Sequence, residues 1–241
     1  MYNLILLDSL NKIDKSWNNF LCKETIEMLN SIEKKLISSN YTPPSARVLH
    51  FLSLPLNQVK IIILGQDPYP QAGVATGRAF EVGTLKSWNQ TFNNISLKNI
   101  VRAIYFAYQN EHLNYSEIKN NIGKSFQLKS PDQLFIEWEK QGVLLLNTSF
   151  TCEIGKSNSH EKIWKPFTLL LLEYIATNNA DATWFLWGNN AKKIVTDIPI
   201  QHKTESMHPM MCYKAPGRED DFLFGKINPF TETKDQVNWL G

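Results

Sequence analysis

The order of apolar and polar positions divides the chain into alternating helical and extended stretches. Between residues 16 and 38, Trp17, Phe20, Leu21, Leu29, Ile32 and Leu36 recur at three- and four-residue steps, which predicts an amphipathic helix. Tyr41-Thr42-Pro43-Pro44 breaks it. From Val59 to Leu64 the run V-K-I-I-I-L is short, apolar and rich in β-branched residues, as a strand buried on both faces requires. Ser96 to about Tyr108 reads as a helix. Ser130-Pro131-Asp132-Gln133 predicts the start of another, with a capping-box serine, proline at the first helical position and glutamine three residues on.

From Val143 the alternation becomes regular. A strand at Val143–Leu146 precedes a helix from about Trp164 to Thr177, and a strand at Thr183–Trp187 precedes Gly188 and a short helix through Lys193. A last strand at roughly Lys203–Met207 leads to a polar loop and a C-terminal helix near Glu232–Leu240. The stretch 109–129 reads as an insertion loop. Strands alternating with helices predict an α/β fold, a three-layer α/β/α sandwich on a central four-stranded, mainly parallel sheet, with residues 1–241 forming one domain.

Each predicted strand ends in an unusual polar segment. Gly65-Gln66-Asp67-Pro68-Tyr69-Pro70 follows the first, Asn147-Thr148-Ser149 the second, Gly188-Asn189-Asn190 the third and His208-Pro209 the last. In a parallel sheet these ends share one edge, where ligands bind. Asp67, Asn147, Asn189 and His208 are therefore expected in one cleft. With no Ser or Cys evidently paired to the His, this set suits hydrolysis by an activated water: Asp67 orients or deprotonates it and His208 donates to a leaving group. Asn147 offers a donor and an acceptor for reading an amide-like ring edge.

Composition narrows the setting without changing this picture. A net charge of +2 permits a local nucleic-acid groove but does not demand one. The cysteines, Cys22, Cys152 and Cys212, are scattered, so neither a zinc site nor a disulfide framework is expected, and a reducing, cytoplasmic compartment fits. The N-terminal run M-Y-N-L-I-L-L-D has no basic flank and is too short for a signal peptide or a membrane span. No phosphate loop or metal-carboxylate motif stands out, so no cofactor is expected.

The motifs then resemble a known family. G-Q-D-P-Y-P at 65–70 with G-x-A-x-G-x-A-F at 73–80 is similar to the water-activating motif of family 1 uracil-DNA glycosylases. S-L-K-N-I at 96–100 resembles its phosphate-contacting serine loop, L-L-L-N-T at 144–148 its uracil-reading strand, W-G-N-N-A-K-K at 187–193 its fourth strand, and His208-Pro209 the start of its H-P-S-P-L-S loop. The resemblance runs from about residue 16 to 240. It implies a monofunctional glycosylase that hydrolyses flipped-out uracil from DNA without metal or cofactor. Asp67 and His208 would be catalytic, Asp67 positioning water and His208 steadying the departing base at its position-2 carbonyl. Gln66, Tyr69, Phe80 and Asn147 would form the uracil pocket: Tyr69 excludes the thymine methyl, Phe80 stacks on the base, and Asn147 separates uracil from cytosine. Ser96, Asn189, Met210, Met211, Cys212 and Tyr213 would meet DNA. DNA is the implied partner, protein inhibitors of the family are further candidates, and the chain is expected to be monomeric.

Several positions depart from the family's pattern. Pro70 stands where the family has His, Asn93-Asn94-Ile95 replaces a proline-rich segment, and Asn189 replaces a serine. The intercalating Leu aligns by count with Cys212, leaving Met210, Met211 or Tyr213 to fill its space, and a longer polar stretch follows from Lys214 to Asp221. A loop without a Leu wedge predicts a preference for single-stranded substrate. Two rival readings are a glycosylase for a modified pyrimidine, against which Tyr69 argues, and a glycosylase-like binding or scaffold protein, which has no need of Asp67, Asn147 and His208 together.

Overall fold

A computed structural model describes residues 5–241; Met1 to Leu4 of the N-terminal run lie outside the described residues. In chain order the helices are α1 (Ile5–Asp8), α2 (Lys23–Leu36), α3 (Ser45–Val48), α4 (Ile95–Gln109), α5 (Tyr115–Asn121), α6 (Pro131–Lys140), α7 (Glu161–Asn178), α8 (Asn189–Ile194) and α9 (Pro229–Thr233). The strands are β1 (Tyr41–Thr42), β2 (Ile61–Gly65), β3 (Val143–Asn147), β4 (Cys152–Glu153), β5 (Thr183–Trp187) and β6 (His202–Ser206).

The central sheet has the order β3-β2-β5-β6, and every pairing in it is parallel. Its hydrophobic strands are buried throughout because they are covered on both faces. Alternate side chains go to opposite sides. Ile62, Leu64, Leu144, Leu146, Trp184 and Leu186 join one apolar cluster with residues of α2 and α7. Ile61, Ile63, Val143, Leu145, Phe185 and Trp187 join another with α4, α6 and the C-terminal segment. This two-residue period yields the three α/β/α layers expected from the sequence. The edge strand β6 is mostly exposed and carries a Lys203–Glu205 ion pair, which suits a strand with no outer neighbour. No helix among the described residues is long and apolar enough to cross a membrane.

Four local expectations need correction. The stretch 16–38 divides into a turn of 3-10 helix at Lys15–Trp17, capped by the Asp14 carboxylate, and α2. Trp17 and Phe20 share its apolar spacing but are buried from outside the helix, and Asn18-Asn19 between them favour helix poorly. Ser130 precedes α6 without accepting a side-chain cap bond; its hydroxyl donates to Asp132 Oδ1 at 2.7 Å. The presumed loop 109–129 contains α5, stabilised where Glu117 Oε2 accepts the Asn114 N–H at 2.9 Å. The C-terminal helix lies earlier and is shorter than predicted. Asn228 caps it by accepting from the N–H groups of Phe230 and Thr231, and the chain then turns to bury Val237 and Trp239.

Candidate active site

The segments leaving β2 and β3 are stitched together at the sheet's carboxyl edge. Gly65 O accepts the Thr148 N–H at 3.0 Å, and Gln66 O accepts from the Ser149 N–H at 2.8 Å and from the Thr148 hydroxyl at 2.9 Å. Asp67 and Asn147 therefore emerge side by side. Gly65 is what lets Asn147 settle there: a Cβ at this position would collide with Asn147 Oδ1 and lie 2.8 Å from the Ala79 Cβ. The Asn147 amide is buried, lines the cavity and has no hydrogen-bond partner among the described residues, so its polar edge is left to the pocket.

Asp67 is half-buried, and its Oδ2 accepts the Asn158 backbone N–H at 2.8 Å. Burial raises its carboxyl above the ordinary aspartate value, with Glu161 pushing the same way and the Asn158 hydrogen bond opposing both. Asn158 has a left-handed backbone, φ 61°, and its side chain accepts from Gln66 Nε2 at 2.8 Å. Gln66 Oε1 in turn accepts from Asn190 Nδ2 at 2.6 Å. The Gln66 side chain thus braces the rim, spanning from the loop after β4 to the first turn of α8.

The segment 73–80 folds back over this edge. Phe80 adopts φ 65°, a conformation that costs a non-glycine residue about 1–2 kcal/mol and that recurs at functional sites. Its half-buried ring stands 5.3 Å from Trp187 and 6.3 Å from His208, centroid to centroid. Tyr69 packs behind it, its hydroxyl 3.4 Å from Phe80 O, and burial pushes the phenol up to about 12.

His208 follows β6 and leans over Gly188, where a Cβ would stand 2.9 Å from that of His208. The His208 Nδ1 accepts the Met210 N–H at 3.2 Å. That fixes the neutral tautomer with its proton on Nε2, and burial also pulls the imidazole below its ordinary pKa. Asp67, Asn147 and His208 line one cavity of about 250 Å³, with Tyr69 and Phe80 as walls and Ser96 at its margin. An orienting carboxylate, a free amide edge and a neutral donor thus face a pocket with aromatic walls.

Gln66 and Met210 line this cavity too, and the remaining expected site residues fall nearby. Asn189 lines an adjoining cavity of about 260 Å³ with Gln66, His208, Met210 and Met211. Met210, Met211 and Tyr213 are exposed, whereas Cys212 turns inward, packs on the core and donates from Sγ to Pro209 O. A larger hollow, about 600 Å³, lies at the opposite edge of the sheet beside Lys60, Gly142 and Asp181, away from this chemistry. No group of three or more His, Cys, Asp or Glu side chains among the described residues is placed to hold a metal ion. Sequence reasoning missed Asn158, whose contribution is a backbone N–H; its only trace was the turn-prone Ser157-Asn158-Ser159 run.

A doubly covered parallel sheet with an aromatic-walled pocket at its carboxyl edge, into which a carboxylate, an amide and an imidazole open, defines an α/β protein with an enzyme-like cleft. The match to known proteins makes this specific: the model of the Uracil DNA glycosylase superfamily matches residues 53–230, and the chain belongs to that family. It is 31% identical over 239 residues to Uracil-DNA glycosylase 1 of Listeria monocytogenes serovar 1/2a, covering 93% of this chain and 97% of the relative. Against the Uracil-DNA glycosylase of Fusobacterium nucleatum it is 32% identical over 191 residues, covering 76% and 74%. Among solved structures, the wild-type UNG of Nitratifractor salsuginis superposes with a TM-score of 0.69 at 26% identity, covering 86% of this chain and 87% of that one. A mimivirus UNG variant in complex with UGI gives 0.65 at 25% identity, covering 85% and 72%.

Proposed function

We propose that this chain hydrolyses the bond between uracil and deoxyribose in DNA and leaves an abasic site. The observation that carries the reading is the shared cavity: the Asp67 carboxylate, the unpartnered Asn147 amide and the Nε2–H of His208 open onto one pocket walled by Tyr69 and Phe80. A base inside a duplex is unreachable, so the substrate nucleotide turns out into this pocket. Phe80 stacks on the ring and Asn147 pairs with its amide edge. Tyr69 closes the side where thymine carries its methyl.

Asp67 holds the attacking water and supports positive charge on the sugar as the bond from C1′ to N1 breaks. Water adds to C1′, its proton passing to the carboxylate, and uracil departs with the bonding electron pair. Charge gathers on its position-2 oxygen, to which the neutral His208 donates from Nε2. Fixed dipoles aimed at developing charge are a large source of rate. Gln66 braces the pocket rim, while Ser96, Asn189, Met210, Met211 and Tyr213 face the DNA strand. Cys212 supports that surface from beneath.

Three unpaired cysteines suit a reducing, cytoplasmic compartment, and the chain is proposed to act there as a single-domain monomer. The test is labelled single-stranded DNA carrying one uracil, incubated with chelator and then treated with alkali. Cleavage at uracil, but not at thymine or cytosine, is expected, and addition of UGI is expected to stop it. Tight DNA binding without release of the base would replace this reading with that of a binding protein.

A further inference from the structure

The loop after His208 shows large apolar side chains to solvent, yet its backbone is tightly held. Met210, Met211 and Tyr213 are 54%, 59% and 52% exposed. At the loop's start, the buried Asn99 donates from Nδ2 to Pro209 O at 2.6 Å, and the Met211 N–H donates to His208 O at 2.9 Å. At its far side an ion pair fastens it. Arg218 reaches Asp221 Oδ2 from Nε at 3.2 Å and from Nη2 at 2.8 Å, and Nη2 also donates to Met211 O. The guanidinium lies 3.7 Å over the Tyr213 ring.

Asp221 is the anchor. It is 1% exposed, and beyond Arg218 its carboxylate accepts the N–H groups of Tyr213 at 3.1 Å, Leu223 at 2.9 Å and Phe224 at 3.1 Å. Burial raises its carboxyl while these donors lower it further, leaving it below the ordinary aspartate value and charged. Two groups that flank Cys212, the Met211 carbonyl and the Tyr213 N–H, are thus tied to one buried pair. Neither residue touches the cavity holding Asp67, Asn147 and His208.

An apolar tip on a slack loop would have to be ordered each time it entered a base stack, at a cost in rate. A tip already held needs only the unstacking energy of the DNA. We propose that Arg218 and Asp221 are positioning residues that hold the Met210–Met211 tip ready to enter duplex DNA. Single strands have no paired stack to open, so this clamp matters chiefly for the duplex. The inference rests on the glycosylase reading and adds the element that gives the enzyme access to paired DNA. A methionine wedge is less rigid than leucine, so single strands remain the better substrate and the clamp sustains the duplex activity that is left.

The test compares uracil release from single-stranded and duplex DNA of one sequence by wild type, Arg218→Ala and Arg218→Lys. In Arg218→Ala the ratio of duplex to single-strand kcat/KM is expected to fall about tenfold, less than the loss from misplacing a reacting group by about 1 Å, because the tip carries no reacting group. Arg218→Lys keeps an ion pair with Asp221 but loses the fork to Met211 and the flat stacking on Tyr213, so it restores the ratio only in part. Thermal melting of each variant accompanies the kinetics. An unchanged ratio in Arg218→Ala overturns the proposal, as does an equal fall on both substrates, which would make the clamp a general structural support. Absence of uracil release by wild type from single strands would instead overturn the glycosylase reading, and the clamp's role with it.

Discussion

The Nδ1 of His208 accepts the backbone N–H of Met210 at 3.2 Å, and this one contact decides which proton the imidazole offers the pocket. A protonated ring would carry N–H on both nitrogens and turn the Met210 contact repulsive. Burial acts in the same direction, holding the pKa below the ordinary histidine value. The group is therefore neutral at pH 7, with Nε2 left to carry the proton.

A pH profile tests this. The proposed mechanism needs Asp67 charged, with a carboxyl raised by burial, and His208 neutral, with a pKa lowered by burial. The acid limb of kcat/KM is expected between about 4 and about 6.5, the ordinary values of the two groups, with no loss from His208 above that. The stability sign follows. Below about pH 6.5 the unfolded chain binds a proton at His208 before the folded chain does, so stability falls as pH falls. His208→Gln should lower kcat and also remove that part of the acid destabilisation. NMR titration of the ring nitrogens checks it directly; a His208 pKa above 6.5 would contradict the tautomer argument.

Asp67 should show the opposite trade. Its raised carboxyl means that the folded protein is penalised for keeping it charged, so at pH 7 the charge opposes folding. Asp67→Asn removes the charge, keeps an oxygen for the Asn158 N–H, and is expected to raise the Tm while lowering kcat by about a hundredfold or more. A variant that lost activity by destabilisation would melt lower, not higher. Calorimetry and single-turnover kinetics on the same sample separate the cases.

Gly65→Ala tests the placement of Asn147. The new methyl would collide with Asn147 Oδ1 and crowd Ala79, with no flexible chain end to yield on the Ala79 side. The Asn147 amide must rotate or shift. A displacement near 1 Å at a positioning group costs about a hundredfold in rate, so kcat/KM for uracil should fall on that scale. Discrimination against cytosine should weaken too, because the amide proposed to separate the two bases would have moved. Unchanged selectivity would show that Asn147 does not read the base.

Much of this site was legible in the sequence because strand ends are punctuated by chemistry. The buried strands β2, β3 and β5 announced themselves as apolar runs, and the parallel arrangement then forced Asp67, Asn147 and His208 onto one edge. Asn189 reached that edge but lines the neighbouring hollow. The edge strand β6 lies within a residue of its expected place although its own pattern is polar and exposed. What stayed hidden were contacts made by backbone or by distant polar pairs. Cys212 aligned by count with a wedge, yet the fold turns its thiol toward Pro209 and burial raises it to about 12. Nothing in the spacing of Arg218 and Asp221 marks them as a clamp beneath a solvent-exposed loop.

Asn158 offers the sharpest test of a residue that only the structure revealed. Its N–H donates to Asp67 Oδ2 from a backbone at φ 61°, and its side chain accepts from Gln66. Asn158→Gly tolerates that φ and keeps the N–H in place while deleting the Gln66 contact. Asn158→Val is β-branched and strained there by about 1–2 kcal/mol, so the segment should relax and withdraw the N–H. Because that hydrogen bond lowers the Asp67 pKa against the effect of burial, its loss moves the acid limb of kcat upward in the valine variant alone. The valine variant should also lose about tenfold in kcat at pH 7, since a misoriented carboxylate no longer holds water in line. Equal losses in both variants would assign the effect to the Gln66 brace, and full activity in the valine variant would mean that Asp67 is oriented without the Asn158 N–H.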